Sequence, residues 1–488
     1  MAVGLLVGSL LVSGLTCRLI LTFWPLTRPG WDGGDLGRKA QKSPVLRLGG
    51  VGIALALAFV TAVAGGVVFD GASRVGEPWP LLFVCMLFFG IGLVDDLYSV
   101  PPLLKLLFQV LAASCAFWLG FRIELLTEPF GGSSIQLQGL SFPLTVLWLI
   151  AIPNLINLVD GMDGIAGGVG ISLAGTLAVV AWLGGDLFMF AVSMGMIGAI
   201  IGFLFFNLPR ARIYLGDGGA YLLGAFIAVT SISASQKGAV AGALFVIMLA
   251  LALPIADTAF AILRRAFYGL PVWRADSEHI HHRLVTLGLR RGVVIGGMIA
   301  TVLIFSILGL SLIMEEGKTW PVVLTVSVAA VLFLVRLLGY WRSFSAFWDH
   351  VKQIMMTRER VRYAYSLSCV LEHEIDRAAD CEVFWADFHR SLRKVGLRPV
   401  SDPFDPEGLD AGWELFEIPL ADDSIWRLTH CDGSTSMHWG KVVACFLGPL
   451  SRAKSKWGEV PDDFGIVARR EIWRKHPCIS NCRKEKMT

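Results

Sequence analysis

The chain has 488 residues, 55% of them hydrophobic and 17% charged, with a mean hydropathy of +0.64 and a formal net charge of +3. Soluble globular chains carry about 25% charged residues, so disorder and a wholly soluble fold are excluded, and the small net charge does not point to nucleic acid. Of the 81 charged residues, 42 fall after residue 349, which separates an apolar body, 1–349, from a polar tail, 350–488.

A bilayer-crossing helix needs about 20 mostly apolar residues. Runs of that kind are predicted near 2–24, 50–69, 80–95, 103–121, 141–159, 165–184, 187–206, 213–233, 239–263, 292–314 and 320–341, eleven in all. The first does not read as a signal peptide, because it lacks a basic start, its apolar run is long and further spans follow. One set of alternate loops holds fourteen Lys and Arg, from Arg28 to Arg291, and the other only Arg74, Arg122, Lys237 and Lys318. The excess places the first set in the cytoplasm, with the N-terminus outside and the tail inside the cell. In the tail a helix is predicted over Arg358–Val395, then strands at Trp413–Ile418 and Ser424–Thr429. Trp413, Trp426, Trp439, Trp457 and Trp473 read as core. The expected fold class is therefore an all-α polytopic membrane protein of about eleven transmembrane helices, carrying a C-terminal soluble α+β domain. The nine cysteines form no disulfide framework, and His476, Cys478 and Cys482 lack the second Cys pair of a zinc site.

An ionisable residue in a membrane span is costly and is a functional candidate by default. The candidates are Asp95 and Asp96 in "GLVDDL", Asp160 and Asp163 in "NLINLVDGMDGIAGG", Asp217 in "YLGDGGAYLLG" and Asp257 in "LPIADTAFAILRR". The topology puts all six at or near cytoplasmic span ends, and "DSEHIHHRL" adds His279, His281 and His282 on the same side. Clustered carboxylates beside basic groups suit a hard divalent cation, since Mg²⁺ takes one or two carboxylates plus substrate phosphate oxygens. Adjacent acids repel, so one of a pair can serve as a base, or both can share a metal. If Asp160 and Asp163 are helical, their spacing puts them on one face. The histidines, Arg274 and Arg283 offer donors to a pyrophosphate. The set therefore suits phosphoryl transfer, which needs mostly positioning and charge neutralisation. Blander readings stand beside it: solvated acids at the interface, an Asp257–Arg264 structural ion pair, or three imidazoles on zinc. An ion-coupled transporter is the competing class, but it needs polar groups near the midplane rather than gathered at one face.

Taken in order, "RKAQKSPVLRLGG", "GLVDDL" with "KLLFQVLAA", "NLINLVDGMDGIAGG", "NLPRARIYLGDGGAYLLG", "LPIADTAFAILRR" and "HIHHRL" resemble the polyprenyl-phosphate N-acetylhexosamine-1-phosphate transferases over residues 1–342. The resemblance implies Mg²⁺-dependent transfer of a sugar phosphate from a UDP-sugar to a membrane polyprenyl phosphate, with release of UMP. Mn²⁺ is the alternative ion. It implies that one of Asp95 and Asp96 deprotonates the lipid phosphate, that Asp217 with Asp160 holds the metal, and that Asn157, Asp160 and Asp163 face the nucleotide. It further implies substrate-binding roles for Lys105, Asn207, His279, His281, His282 and Arg283. The family often has His where Gln41 stands and Ser where Ala220 stands, which touches sugar fit rather than a charged catalytic group. "HIHHRL" is closer to the GlcNAc-1-phosphate branch than to the phospho-N-acetylmuramoyl-pentapeptide branch, which remains the alternative substrate. The expected partners are a UDP-N-acetylhexosamine, undecaprenyl or another polyprenyl phosphate, and the plasma membrane. A second copy of the chain and a downstream glycosyltransferase held by the tail are the candidate protein partners.

Overall fold

The computed structural model describes residues 1–24, 31–32, 45–68, 78–127, 134–208, 210–236, 243–268, 284–285, 288–314, 318–337, 344–378, 380–400, 414–420, 424–430, 439–458, 460–461, 464 and 466–468. They fall in two compact units, one of Met1–Gly33, Pro44–Ala261 and Ala275–Trp341, the other of Gly34–Ser43, Ile262–Arg274 and Arg342–Thr488.

The first unit is a helical bundle. Its helices are α1 (Ala2–Phe23), α2 (Gly49–Val68), α3 (Pro78–Tyr98), α4 (Pro102–Trp118), α5 (Ser141–Val159), α6 (Ile165–Leu183), α7 (Leu187–Asn207), α8 (Gly216–Gln236), α9 (Ala243–Ala250), α10 (Ala252–Tyr268, whose last residues enter the second unit), α11 (Arg291–Met314) and α12 (Trp320–Leu337). The described part of each of the eleven expected segments is mainly helical. Among the described residues, eight helices are long and apolar enough to cross a bilayer, or nine if α9 and α10, bent by 61° at their break, form one span. The chain is thus a multi-pass membrane protein. α4, with 17 residues, and the described apolar part of α12 fall short of a full crossing, so eleven spans are not established.

These helices pack through small residues, as helices in lipid do when close approach replaces a hydrophobic drive. α1 buries Leu5, Ser9, Ser13 and Cys17, spaced by four along one stripe. It lies on α7 where Gly198 and Gly202 leave no room for a Cβ beside the Leu6 and Leu10 carbonyls. α8 is the central element. Every residue from 218 to 233 is buried, and it packs against α2, α3, α5, α6 and α9. Its start is held by a short extended segment: Tyr214 donates its N–H to the Leu46 carbonyl (2.7 Å), Gly49 to that of Tyr214 (2.9 Å) and Gly50 to that of Leu215 (2.9 Å). Two small antiparallel pairs decorate the bundle, β1 (Trp31–Asp32) with β2 (Val45–Leu46), and β3 (Leu125–Thr127) with β4 (Ser134–Gln136).

The second unit contains α13 (Phe344–Arg377), α14 (Cys381–Lys394), β5 (Leu397–Pro399), β6 (Glu414–Pro419), β7 (Ser424–His430), α15 (Trp439–Trp457) and β8 (Ile466–Ala468). β7 is the middle of a small antiparallel sheet. β6 pairs along one edge, from Glu414–His430 to Pro419–Ile425, while β5 and β8 share the other edge at opposite ends. The single helix expected over 358–395 is divided: α13 stops at Arg377, and Asp380 caps α14 by accepting the Glu382 N–H at 3.0 Å. The core is aromatic. Trp426 stacks on Phe464 at 6.2 Å and donates its indole N–H to the Phe464 carbonyl (3.0 Å), with Phe388, Trp385 and Phe446 around them. Trp439 is also buried there and Trp457 partly so, whereas Trp413 and Trp473 lie outside the described residues.

Candidate active site

α3 is apolar until its last turns, where Asp95 and Asp96 end the run. Adjacent residues on a helix point about 100° apart, and the two carboxylates accordingly find different partners. Asp95 accepts the Val100 N–H at 2.7 Å and the Lys105 ammonium at 2.6 Å. Lys105 comes from the first turns of α4, which Pro102 starts at a position where a missing N–H does no harm. The same ammonium lies 3.5 Å from the Asp217 carboxylate, delivered by the first turn of α8. Three helices thus bring Asp95, Lys105 and Asp217 together.

Asp96 does something else. Its two oxygens accept the main-chain N–H groups of Asp217 (3.0 Å) and Gly218 (2.9 Å). It caps α8 from another helix, satisfying donors that the helix itself cannot, where the helix dipole favours negative charge. Arg47 contributes counter-charge to it. Glycine makes the approach feasible. A Cβ on Gly92, one turn before Asp96, would collide with the Asp217 carbonyl, and one on Gly50 with the Gly219 main chain. Gly216 has φ +75°, and a side chain there would meet the Asp96 carboxylate at 2.5 Å.

A second group of polar residues joins the same segment. α5 ends at Val159, and residues 160–164 form a turn into α6, so Asp160 and Asp163 do not share a helix face. Gly164 begins α6 from a left-handed φ of +82°. Asp163 accepts the Ala211 N–H at 3.1 Å. Asn207, buried at the end of α7, accepts the Gly164 N–H (2.7 Å) and donates to the Ile213 carbonyl (3.0 Å), so its carboxamide is engaged on both sides by main chain. Residues 211–218 therefore run as one thread from Asp163 through Asn207 and the start of α2 to Asp96 and Asp217. Asn157 lies in the last turn of α5. Asp257 and Thr258 line a small cavity with Leu158, Val159, Leu253, Pro254 and Met298.

His279, His281, His282 and Arg283 lie outside the described residues, as does Gln41. Sequence reading passed over Gln109, whose Oε1 accepts the Asn154 Nδ2–H at 2.8 Å. Gln109 had a signal in being the lone amide of an apolar run, four residues after Lys105.

A multi-pass membrane protein whose carboxylates and lysine meet at the ends of apolar helices has the architecture of an enzyme acting on a membrane-borne anion. The family described as Glycosyl transferase family 4 matches residues 78–235, which contain Asp95, Asp96, Lys105, Asp160, Asp163 and Asp217. The chain is 29% identical over 315 residues to a probable undecaprenyl-phosphate N-acetylglucosaminyl 1-phosphate transferase of Bacillus subtilis, covering 64% of this chain and 84% of the relative. It is 31% identical over 332 residues to the decaprenyl-phosphate N-acetylglucosaminephosphotransferase of Mycolicibacterium smegmatis, covering 62% and 80%. It is 32% identical over 287 residues to a phospho-N-acetylmuramoyl-pentapeptide-transferase of Shouchella clausii, covering 55% and 83%. The chain belongs to glycosyl transferase family 4, the polyprenyl-phosphate N-acetylhexosamine-1-phosphate transferases.

Proposed function

We propose that the chain transfers an N-acetylhexosamine-1-phosphate, GlcNAc-1-phosphate or a related sugar, from a UDP-sugar to undecaprenyl or another polyprenyl phosphate. The carrying observation is the meeting of Asp95, Lys105 and Asp217 from three helices. The relatives named for polyprenyl-phosphate N-acetylglucosamine phosphate transfer support the reaction class. The site is read as cytoplasmic in a plasma membrane, on the Lys and Arg excess of its loops.

In this reading a lipid phosphate oxygen attacks the β-phosphorus of the UDP-sugar, the bond from that phosphorus to the bridging oxygen breaks, and UMP leaves with that oxygen. Asp95 is assigned as the base, because its Oδ2 meets the Lys105 ammonium beside Asp217, whereas both Asp96 oxygens accept main-chain N–H groups of α8. Lys105 neutralises charge beside Asp95 and Asp217. Asn157, Asp160 and Asp163 border the sugar nucleotide, and Asn207 holds the Gly164 and Ile213 main chain around it. The histidine segment is assigned to the pyrophosphate or sugar.

Among the described residues, no three or more His, Cys, Asp and Glu form a closed metal cage. Mg²⁺ needs only one or two carboxylates when substrate phosphates complete its shell, so Asp217, with Asp160 as the second carboxylate the resemblance implies, suits it by donor chemistry. A bound Mg²⁺ would draw charge off the pyrophosphate. The test is incubation of membranes containing the chain with radiolabelled UDP-N-acetylhexosamines and undecaprenyl phosphate, scoring lipid-linked sugar and UMP. Label passing into lipid supports the reading, and none from any donor overturns it. A UDP-N-acetylmuramoyl-pentapeptide arm distinguishes the second substrate class, which the Shouchella relative favours.

A further inference from the structure

Lys105 is carried by α4, so whatever holds α4 decides where its ammonium sits. Leu103, Leu107, Phe108 and Leu111 of this helix are exposed, and its buried residues are Gln109 and three alanines, Ala112, Ala113 and Ala116. In a bilayer outward-facing leucines gain nothing by turning inward, so close packing of small residues and interhelical hydrogen bonds must fix such a helix. At its start the chain is tied to α3, where Asp95 accepts the Val100 N–H at 2.7 Å and the Lys105 ammonium at 2.6 Å. A tie at one end alone leaves a helix free to swing about that end.

Gln109 supplies a second tie. It stands four residues after Lys105, one turn further on and on the same face, and it is 2% exposed. Its Oε1 accepts an Nδ2 hydrogen of Asn154 on α5 at 2.8 Å. The Ile150 carbonyl, on Asn154's own helix, accepts from the same Nδ2 at 2.7 Å. A carboxamide nitrogen has two hydrogens, so both are engaged and the Asn154 side chain is held in one orientation. Gln109 is thereby fastened to the frame of α5. That helix packs in turn on α8, with Pro153 against Gly224, where a Cβ would not fit. α8 carries Asp217, whose carboxylate lies 3.5 Å from the Lys105 ammonium. The path from Lys105 through Gln109, Asn154, α5 and α8 back to Asp217 closes on itself.

We propose that Gln109 and Asn154 are positioning residues, whose hydrogen bond holds α4 against α5 so that the Lys105 ammonium stays between the Asp95 and Asp217 carboxylates. The inference rests on the reaction proposed above, and the pair acts through Lys105.

UMP release by the full-length chain in detergent tests it, with UDP-GlcNAc and undecaprenyl phosphate as substrates. Gln109→Met keeps the length of the side chain and removes the acceptor. Its kcat should fall about five- to tenfold, the worth of one hydrogen bond, with both KM values nearly unchanged. Gln109→Asn and Asn154→Gln each alter the reach and should singly lose a similar factor. Combined, they restore the summed length of the two side chains and should recover about half the wild-type kcat or more. In a Lys105→Met background, Gln109→Met should cause no further loss, because the amide acts through the ammonium. A wild-type kcat in Gln109→Met, an exchanged pair no faster than its single variants, or a loss undiminished in the Lys105→Met background would each overturn the inference and leave the reaction standing. Where Lys105→Met has no rate to measure, the exchanged pair decides. A wild-type chain that releases no UMP overturns the reaction, and this inference with it.

Discussion

Asp95 and Asp96 are neighbours with the same chemistry and different work. Asp95 faces an ammonium shared with Asp217. Asp96 receives two main-chain N–H groups at the start of α8. Asp95→Asn keeps the shape and removes the charge, so we expect turnover to fall by about two decades or more, with a smaller loss of stability than at Asp96 because the amide oxygen can still accept the Val100 N–H. Asp96→Asn turns an amide NH₂ toward a main-chain N–H. Leaving one buried donor unmet costs about 1–3 kcal/mol, so this variant should lose stability as well as turnover. Thermal unfolding in detergent alongside UMP release separates the two, and equal stability of the variants would refute the division of roles. The sequence displays both acids plainly. It does not display which one turns to the backbone, because a main-chain donor has no letter of its own.

At the level of elements, hydropathy located the helices because apolar length is a property of the chain alone. It was less able to place their ends. α8 was expected from residue 213 and begins at Gly216, since Tyr214 and Leu215 are taken by pairing with Leu46, Gly49 and Gly50. The turn at 160–164 replaces a possible helical face because Gly164 adopts a left-handed conformation there. The contact between α3 and α8 depends on the absence of a side chain at Gly92. Gly92→Ala would force α8 to shift against a buried neighbour, at about 1–3 kcal/mol for an overpacked site. Both stability and UMP release should decline, while alanine at Gly90, which has open space around its Cβ position, should change neither. An undisturbed Gly92→Ala protein would show that the two helices are free to separate.

On the scale of the whole chain, the membrane unit contains every described candidate group, and the second unit has an aromatic core of its own. A chain ending at residue 349 should therefore release UMP in detergent at a rate within about twofold of the full chain, leaving the tail a partner-binding role. Loss of the reaction in a folded truncation would put the tail in the chemistry. The polar tail was legible from charge density alone. Its sheet register was not, since cross-strand partners such as Glu417 and Arg427 (3.0 Å) meet only after the turn is made. Chelation with EDTA should stop UMP release, and added Mg²⁺ or Mn²⁺ should restore it; a chelated enzyme that keeps its rate would remove the ion from the proposal.

The first turn of a buried helix is a natural seat for phosphate, because its amide hydrogens point outward and its dipole welcomes an anion. In α8 Asp96 already occupies that seat at Asp217 and Gly218. In the reaction proposed above, a pyrophosphate would find those two amides spoken for by the protein's own anion, and would have to be met by other positive charge: Lys105, or a dissolved cation. On that reading the grip on substrate would come from groups that salt and chelators can reach, while the scaffold beneath them stays locked.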